Sequence, residues 1–325
     1  MQYAELHAKT NFSFLEGASH ADELVTRAAE LGYKALAITD RNSLAGVVRA
    51  HTAAKDSALK LIVGAELTPL DAPPVVVWAT DRAAYGRLCR LLTRGRRRAP
   101  KGECLLTQSD IGEFSEGLIA AVPGTAEVLA AAKNGGPVAM PVSETRVPSR
   151  ASLRCSLAAY RDIFGRDVYL LAELACGPDD AGRLAQLDDL SRQTNLSLVA
   201  SGDVHYHVPG RMVLHDVLAA IRHGTTVAQA DGKWLFPNAQ RHLQELSAIK
   251  SLFSSMPAAL DRTVEIASRC NFSLDQLRYE YPTELAPDGI SPLEYLEQLT
   301  WEGARHRYQR GVPEKVRRQI EHELR

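Results

Sequence analysis

The chain has 325 residues, is 45% hydrophobic and carries a formal net charge of −1, which is ample for a large core in one large domain or two ordinary ones. Near neutrality supplies no global attraction to nucleic acid or an anionic membrane, so any basic footprint must be local. No apolar run reaches the roughly 18 to 20 residues of a membrane span and no basic-then-apolar secretory signal opens the chain, so a soluble cytoplasmic protein is expected. From residue 3 to about 222, β-branched or apolar runs alternate with helical patterns. "YAEL" reads as a strand. In "SHADELVTRAAELG", Ser19 is placed to cap a helix, Asp22 to supply the capping-box carboxylate and Gly32 to end it, with Leu24, Ala28 and Leu31 on one face. "ALAIT" is a strand, "SLAGVVRAHTAAK" a helix, and "KLIVGAEL" and "VVVWA" are strands. "DRAAYGRLCRLLTRGRRR" is a helix with Tyr85, Leu88, Leu91 and Leu92 on one face. "GLIAAV", "PVAMPV", "DVYLLAEL" and "LSLVAS" continue the strands, separated by helical stretches such as "PDDAGRLAQLDDLSRQT". Repeated βα units predict a parallel sheet, doubly wound or closed into a barrel.

Between Ala228 and Gln240 the pattern becomes irregular, two helices then run to about Cys270, and a boundary is expected there. "YEYPTELAPDGISP" is turn-rich. A new helical segment begins at Pro292 and still reads as helical at Arg325, so the sequence is expected to be a piece cut inside a helix. The five cysteines, Cys89, Cys104, Cys155, Cys176 and Cys270, are widely spaced and include no C-x-x-C. That pattern argues for reduced, mostly buried thiols rather than a disulfide framework or a zinc ribbon.

Several polar residues fall at the carboxyl ends of predicted strands: His7, Asp40, Glu66, and Asp203 with His205. In barrels and open α/β sheets that is where sites are assembled. Residues i and i+2 of a strand share a face, which would bring Asp203 to His205 and His7 to Lys9. Converging imidazoles and carboxylates suit Zn or Mn and a water activated for phosphoester hydrolysis. Each residue alone is more often a helix cap or a satisfied core histidine.

"LHAKTNFSFLEGAS", "ALAITDRNSLAGVVRAH", "LIVGAEL" and "SGDVHYHVPGRMVLHDVLAAIRHGT" resemble the motifs of the polymerase-and-histidinol-phosphatase (PHP) domain that opens bacterial replicative DNA polymerase III alpha subunits, the error-prone, damage-inducible branch above all. "NFSLDQLRYEYPTEL" and "GVPEKVRRQIEHELR" resemble the segment joining that domain to the polymerase palm. The resemblance implies an α/β fold, a distorted seven-stranded (β/α) PHP barrel over residues 1–275, then over 276–325 a junction and the truncated start of the polymerase domain. It also implies a multinuclear metal site in active members, and DNA synthesis with Mg²⁺ by a downstream domain of the full-length protein. Residues matching the family's ligand positions are His7, Glu16, Asp40, Glu66, Asp203 and His205. Two positions depart from it: Lys9 stands where a His-x-His motif has its second histidine, and Arg41 follows Asp40 where Asp-His is usual. No histidine occurs between His51 and His205. A unit charge about 5 Å from a divalent ion, at an effective dielectric near 20, opposes it by roughly 6 to 7 kcal/mol.

The expectation is therefore a site whose metals have been exchanged for fixed cations, with Lys9 and Arg41 balancing Asp40, Glu66 and Asp203, and with no cofactor and no catalysis in this stretch. The role implied is a structural module of an error-prone, translesion DNA polymerase that acts after DNA damage. A metal-dependent phosphoesterase or 3′ to 5′ exonuclease using the remaining ligands is the alternative, and a module recruiting protein partners of a mutagenesis complex is a third. Two basic clusters are candidates for DNA phosphate contacts: Arg94, Arg96, Arg97, Arg98 and Lys101, and Arg305, Arg307, Arg310, Lys315, Arg317 and Arg318. Cations favoured at a helix C-terminus and a solvated helix face explain them equally. Tyr279, Tyr281 and Trp301 read as junction packing, His207 as an edge of the barrel mouth, and His215 and His223 as structural histidines. No P-loop, G-x-G-x-x-G or G-x-S-x-G motif is present.

Overall fold

A computed structural model describes residues 2–134, 153–230, 234–278, 286–287 and 289–324. The strand candidate "PVAMPV", Tyr279 and Tyr281 lie outside the described residues. The chain divides into two units, Met1–Leu277 and Arg278–Arg325.

The first unit is built on seven strands: β1 (Ala4–Ala8), β2 (Ala35–Ile38), β3 (Lys60–Leu67), β4 (Val75–Ala79), β5 (Leu118–Pro123), β6 (Val168–Glu173) and β7 (Ser197–Ser201). They pair in sequence order. Its helices are α1 (Ala21–Glu30), α2 (Val47–Ala54), α3 (Arg82–Arg98), α4 (Gln108–Glu113), α5 (Ala126–Asn134), α6 (Leu153–Phe164), α7 (Asp180–Thr194), α8 (Met212–Arg222), α9 (Leu246–Leu252) and α10 (Pro257–Arg269). The βα rhythm predicts a parallel sheet, but β4 runs antiparallel to both β3 and β5. The link from Leu67 to Val75 is too short for a crossover helix, which takes a dozen or more residues. "VVVWA" is buried throughout, so its composition carries no sign of its direction.

The sheet curls into a nearly closed barrel. Just past β7, the Val204 carbonyl accepts from Lys9 N–H at 2.8 Å and Val204 N–H donates to the His7 carbonyl at 2.9 Å. Further down the same seam α10 supplies what a strand would. Thr263 Oγ1 accepts from Ala4 N–H at 3.2 Å, and Arg262 donates to the Leu198 carbonyl at 2.8 Å. The lower interior is apolar and centred on Trp78, whose ring N–H donates to the Leu6 carbonyl at 2.8 Å. A second, larger core lies between the outer face of the sheet and the helices.

A parity change in β1 orients the site. Ala4 and Leu6 belong to the inner core, Tyr3 and Ala8 to the outer one, and the register against β2 breaks between Glu5 and Ala8. One extra residue is therefore accommodated, as in a bulge. The consecutive N–H groups of Leu6 and His7 both donate to Glu5 Oε1 at 3.0 Å. After the bulge His7 and Lys9 face the barrel mouth.

Two local expectations need correction. The N-cap of α1 is His20, whose N–H donates to Glu23 Oε2 at 2.8 Å; Ser19 instead bonds His207 and Asp22 pairs with Arg49. The cysteines are free but not mostly buried: Cys155 and Cys176 are exposed, Cys89 and Cys104 half-buried, and Cys270 alone is buried. In the second unit, α11 (Pro292–Arg307) and α12 (Glu314–Glu323) form. Trp301 of α11 packs under the Arg317 guanidinium of α12, 5.7 Å from ring centroid to Cζ. No helix among the described residues is long and apolar enough to cross a membrane.

Candidate functional site

Above the apolar floor the barrel is polar. His7 lies at the centre, with Nδ1 2.8 Å from Glu173 Oε1 and Nε2 3.2 Å from Glu66 Oε2. Lys9, on the same face after the bulge, places its ammonium 2.8 Å from Glu66 Oε2 and 3.3 Å from Asp203 Oδ1. His205 Nε2 is 3.2 Å from the same Asp203 oxygen. Asp203 and His205 meet through a loop rather than through strand alternation, because β7 has ended and Asp203 sits at φ +44°, a left-handed conformation that Asp tolerates better than most residues. At the rim, Arg41 Nη1 lies 2.5 Å from Glu16 Oε1, and Arg222 Nη1 3.0 Å from that oxygen. Arg41 Nε is 3.6 Å from Glu66. Arg241 Nη1 reaches Asp203 Oδ2 at 2.6 Å.

Asp40 does not join this cluster, contrary to the expected charge balance. It is fully buried, and it accepts from Thr10 N–H at 2.7 Å, Thr10 Oγ1 at 2.8 Å and Ser13 Oγ at 2.7 Å. Burial raises its pKa even though those donors pull the other way. Gly46 is required beside it, since a Cβ there would come within 2.4 Å of Asp40 Oδ2.

The four carboxylates Glu16, Glu66, Glu173 and Asp203 thus face the permanent cations Lys9, Arg41, Arg222 and Arg241, with His7 among them. Burial and then Lys9 work against a charged His7, but the hydrogen bonds it donates to Glu173 and Glu66, with the Asp203 charge, outweigh them and push its pKa up to about 9. Burial likewise opposes charge on Lys9, and the Asp203, Glu66 and Glu16 charges hold its pKa above the ordinary value. Burial alone would raise Glu66 and Asp203; the cations around them, Lys9 first, hold both well below the usual carboxylate range. His7, Lys9, Glu66 and Asp203 are therefore ionised near neutrality.

Four residues at this site or against it carried no functional reading in the sequence. Glu173 ends β6, and the strand-end rule that selects Glu66 also selects it. Arg222 ends a predicted helix and reads as an ordinary C-terminal cation. Arg241 follows the irregular stretch, where no period announces a role, and Phe236 within that stretch packs on His205 and His215. His215 is buried beside His205, ring centroids 5.3 Å apart, and burial, then the neighbouring His205, lower its pKa to about 3. His207 bonds Ser19, and His223 stacks on Trp234.

His7, Glu173 and Asp203 each offer a ligand atom within 4.8 Å of the others. A divalent ion among them does not fit the side chains present. Lys9 already pairs with Asp203 and with the adjacent Glu66, and both nitrogens of His7 are engaged by carboxylates, whereas a metal ligand needs a neutral imidazole with a free lone pair.

The first basic cluster is largely engaged within the fold. Arg94 pairs with Glu113, Arg98 with Asp110 at 2.7 Å, and Arg96 donates to the Asn42 carbonyl at 2.8 Å. Arg97 and Lys101 remain exposed. In the second cluster Arg318 pairs with Glu314.

The PHP domain family matches residues 5–172. An error-prone DNA polymerase from Rhodopirellula baltica is 50% identical over 100% of this chain and 27% of its own length. One from Aromatoleum aromaticum is 46% identical over 99% of this chain and 29% of its own. The chain spans less than a third of these relatives. A solved amidohydrolase from Chromobacterium violaceum aligns at 13% identity with a TM-score of 0.44, covering 63% of this chain and 88% of that one.

Proposed function

The chain belongs to the PHP domain family, and from that premise we propose that it is the non-catalytic PHP module of an error-prone DNA polymerase engaged in translesion synthesis after DNA damage. Its metal centre has been replaced by a fixed ion cluster, and its role is to support the polymerase body. The observation that carries this reading is the Lys9 ammonium, 2.8 Å from Glu66 and 3.3 Å from Asp203. A buried carboxylate needs a countercharge, and here lysine supplies it in place of a metal. Mg²⁺, DNA and any protein partners of a mutagenesis complex then belong to the full-length polymerase in the cytoplasm. A metal-dependent 3′ to 5′ exonuclease is the competing reading, favoured by the convergence of His7, Glu173 and Asp203.

Metal analysis and a nuclease assay separate the two. The purified chain is expected to hold well below one equivalent of Zn, Mn or Fe and to leave a primer terminus intact with added Mn²⁺. Replacing both Lys9 and Arg41 with histidine removes repulsion and restores ligands together, so the double variant is expected to bind Mn²⁺ at least tenfold more tightly. Stoichiometric metal in the parent, with turnover lost in His205→Ala, reverses the ranking.

A further inference from the structure

From Trp234 to His242 the chain crosses part of the barrel mouth instead of skirting it. Trp234 stacks on His223 just beyond α8, ring centroids 3.6 Å apart. Phe236 stacks on His215 at 4.3 Å and meets His205 edge-on at 4.9 Å. Asn238 Nδ2 donates to the Ala175 carbonyl, beyond the end of β6, at 2.9 Å. Arg241 then reaches Asp203, beyond the end of β7, at 2.6 Å, and its guanidinium lies over the Phe236 ring. The Arg241 carbonyl accepts from His205 N–H at 2.9 Å and Tyr206 N–H at 3.3 Å. The segment looked irregular in sequence because a different tertiary contact sets each residue.

Asp203 is the point on which these contacts close. Lys9, His205 and His7 approach its Oδ1 at 3.3, 3.2 and 3.6 Å. Arg241 takes Oδ2, the oxygen they leave. With the two side chains 15% and 13% exposed, this is a charge-assisted bond largely withdrawn from water, the strong class of such bonds.

We propose that residues 234–242 form a fixed strap closing the β6–β7 side of the mouth, with Arg241 as its latch on Asp203. Arg241 is then a further cation standing against a divalent metal, and the strap bars a phosphodiester end from Asp203 and His205. This rests on the reading that the cluster has displaced the metals, and it adds a barrier that Lys9 and Arg41 do not provide.

Hydrogen–deuterium exchange and Mn²⁺ titration of the purified chain test it. Arg241→Ala is expected to speed exchange at least tenfold in peptides covering 203–207 and 236–242 while leaving β5 unchanged, and Arg241→Lys to recover most of the protection. If Arg241→Ala does not fold, Asn238→Ala, which removes the bond to the Ala175 carbonyl and the one Asn238 Oδ1 accepts from Gln240 N–H while leaving Arg241 on Asp203, carries the same expectation for 236–242. Added to the Lys9→His and Arg41→His background, Arg241→Ala is expected to tighten Mn²⁺ binding at least tenfold beyond the double variant. Unchanged exchange in a folded variant overturns the latch, and equal Mn²⁺ affinity of double and triple variants overturns the barrier. The gain of the double variant over the parent tests the displaced-metal reading separately, so the two failures are distinguishable.

Discussion

At the residue scale the cluster makes a pH prediction through His7. Its folded pKa of about 9 lies above the unfolded value near 6.5, so the stability it contributes is complete below about pH 6.5 and is lost as pH rises through about 9. The shift corresponds to up to about 3 kcal/mol. Glu66 and Asp203 are depressed, so their contribution is present above the unfolded carboxylate range and is lost in acid. Urea unfolding of the parent between pH 6.5 and 9.5 is expected to show a falling midpoint that His7→Asn lacks. Identical slopes in parent and variant would rule out an imidazolium at this position. The sequence made His7, Lys9, Glu66, Asp203 and His205 legible because strand ends are where barrels collect side chains. It misled at Asp40, because a carboxylate beside a basic residue reads as an ion pair, while the fold turns it toward Thr10 and Ser13.

At the element scale the decisive feature is the β1 bulge, which alternation alone does not reveal. A regular strand would keep Leu6 and His7 on opposite faces; the bulge lets one pack in the floor and the other enter the site. Glu5 holds it. Besides Leu6 and His7 N–H, its carboxylate accepts from Gly202 N–H, Ser201 Oγ at 2.8 Å and Tyr3 OH at 2.8 Å. Removing it strands several buried donors, each at roughly 1 to 3 kcal/mol. Glu5→Ala is therefore expected to lower stability by about 3 kcal/mol or more in urea unfolding. Glu5→Gln, which keeps one acceptor oxygen but turns an NH₂ toward other donors, should fall between it and the parent. A Glu5→Ala variant as stable as the parent would mean that the main-chain pairing from His7 to Val204 closes the barrel unaided. Strand existence was legible from apolar runs, whereas the reversed direction of β4 was not, since "VVVWA" is buried on both faces and reads alike in either direction.

At the scale of the whole molecule, a net charge of −1 concealed a barrel mouth filled with opposed full charges, because composition averages over what the fold concentrates. Such a cluster can be neutral as a set and still fail badly when one member is removed. Breaking a buried pair by deleting one partner costs about 3 to 5 kcal/mol, a large share of the roughly 5 to 15 kcal/mol that holds a domain folded. Lys9→Met keeps the apolar stem of the side chain and removes its charge, stranding Glu66 and Asp203. If the barrel supports a polymerase, that loss should surface as instability of the full-length enzyme rather than as altered chemistry. Full-length polymerase carrying Lys9→Met is therefore expected to melt several degrees lower and to lose synthesis on mild heating, while its misincorporation frequency at low temperature matches the parent. Were the barrel an editing nuclease, the same change would alter removal of mismatched 3′ ends, and the error frequency would move at temperatures where the variant is still fully folded.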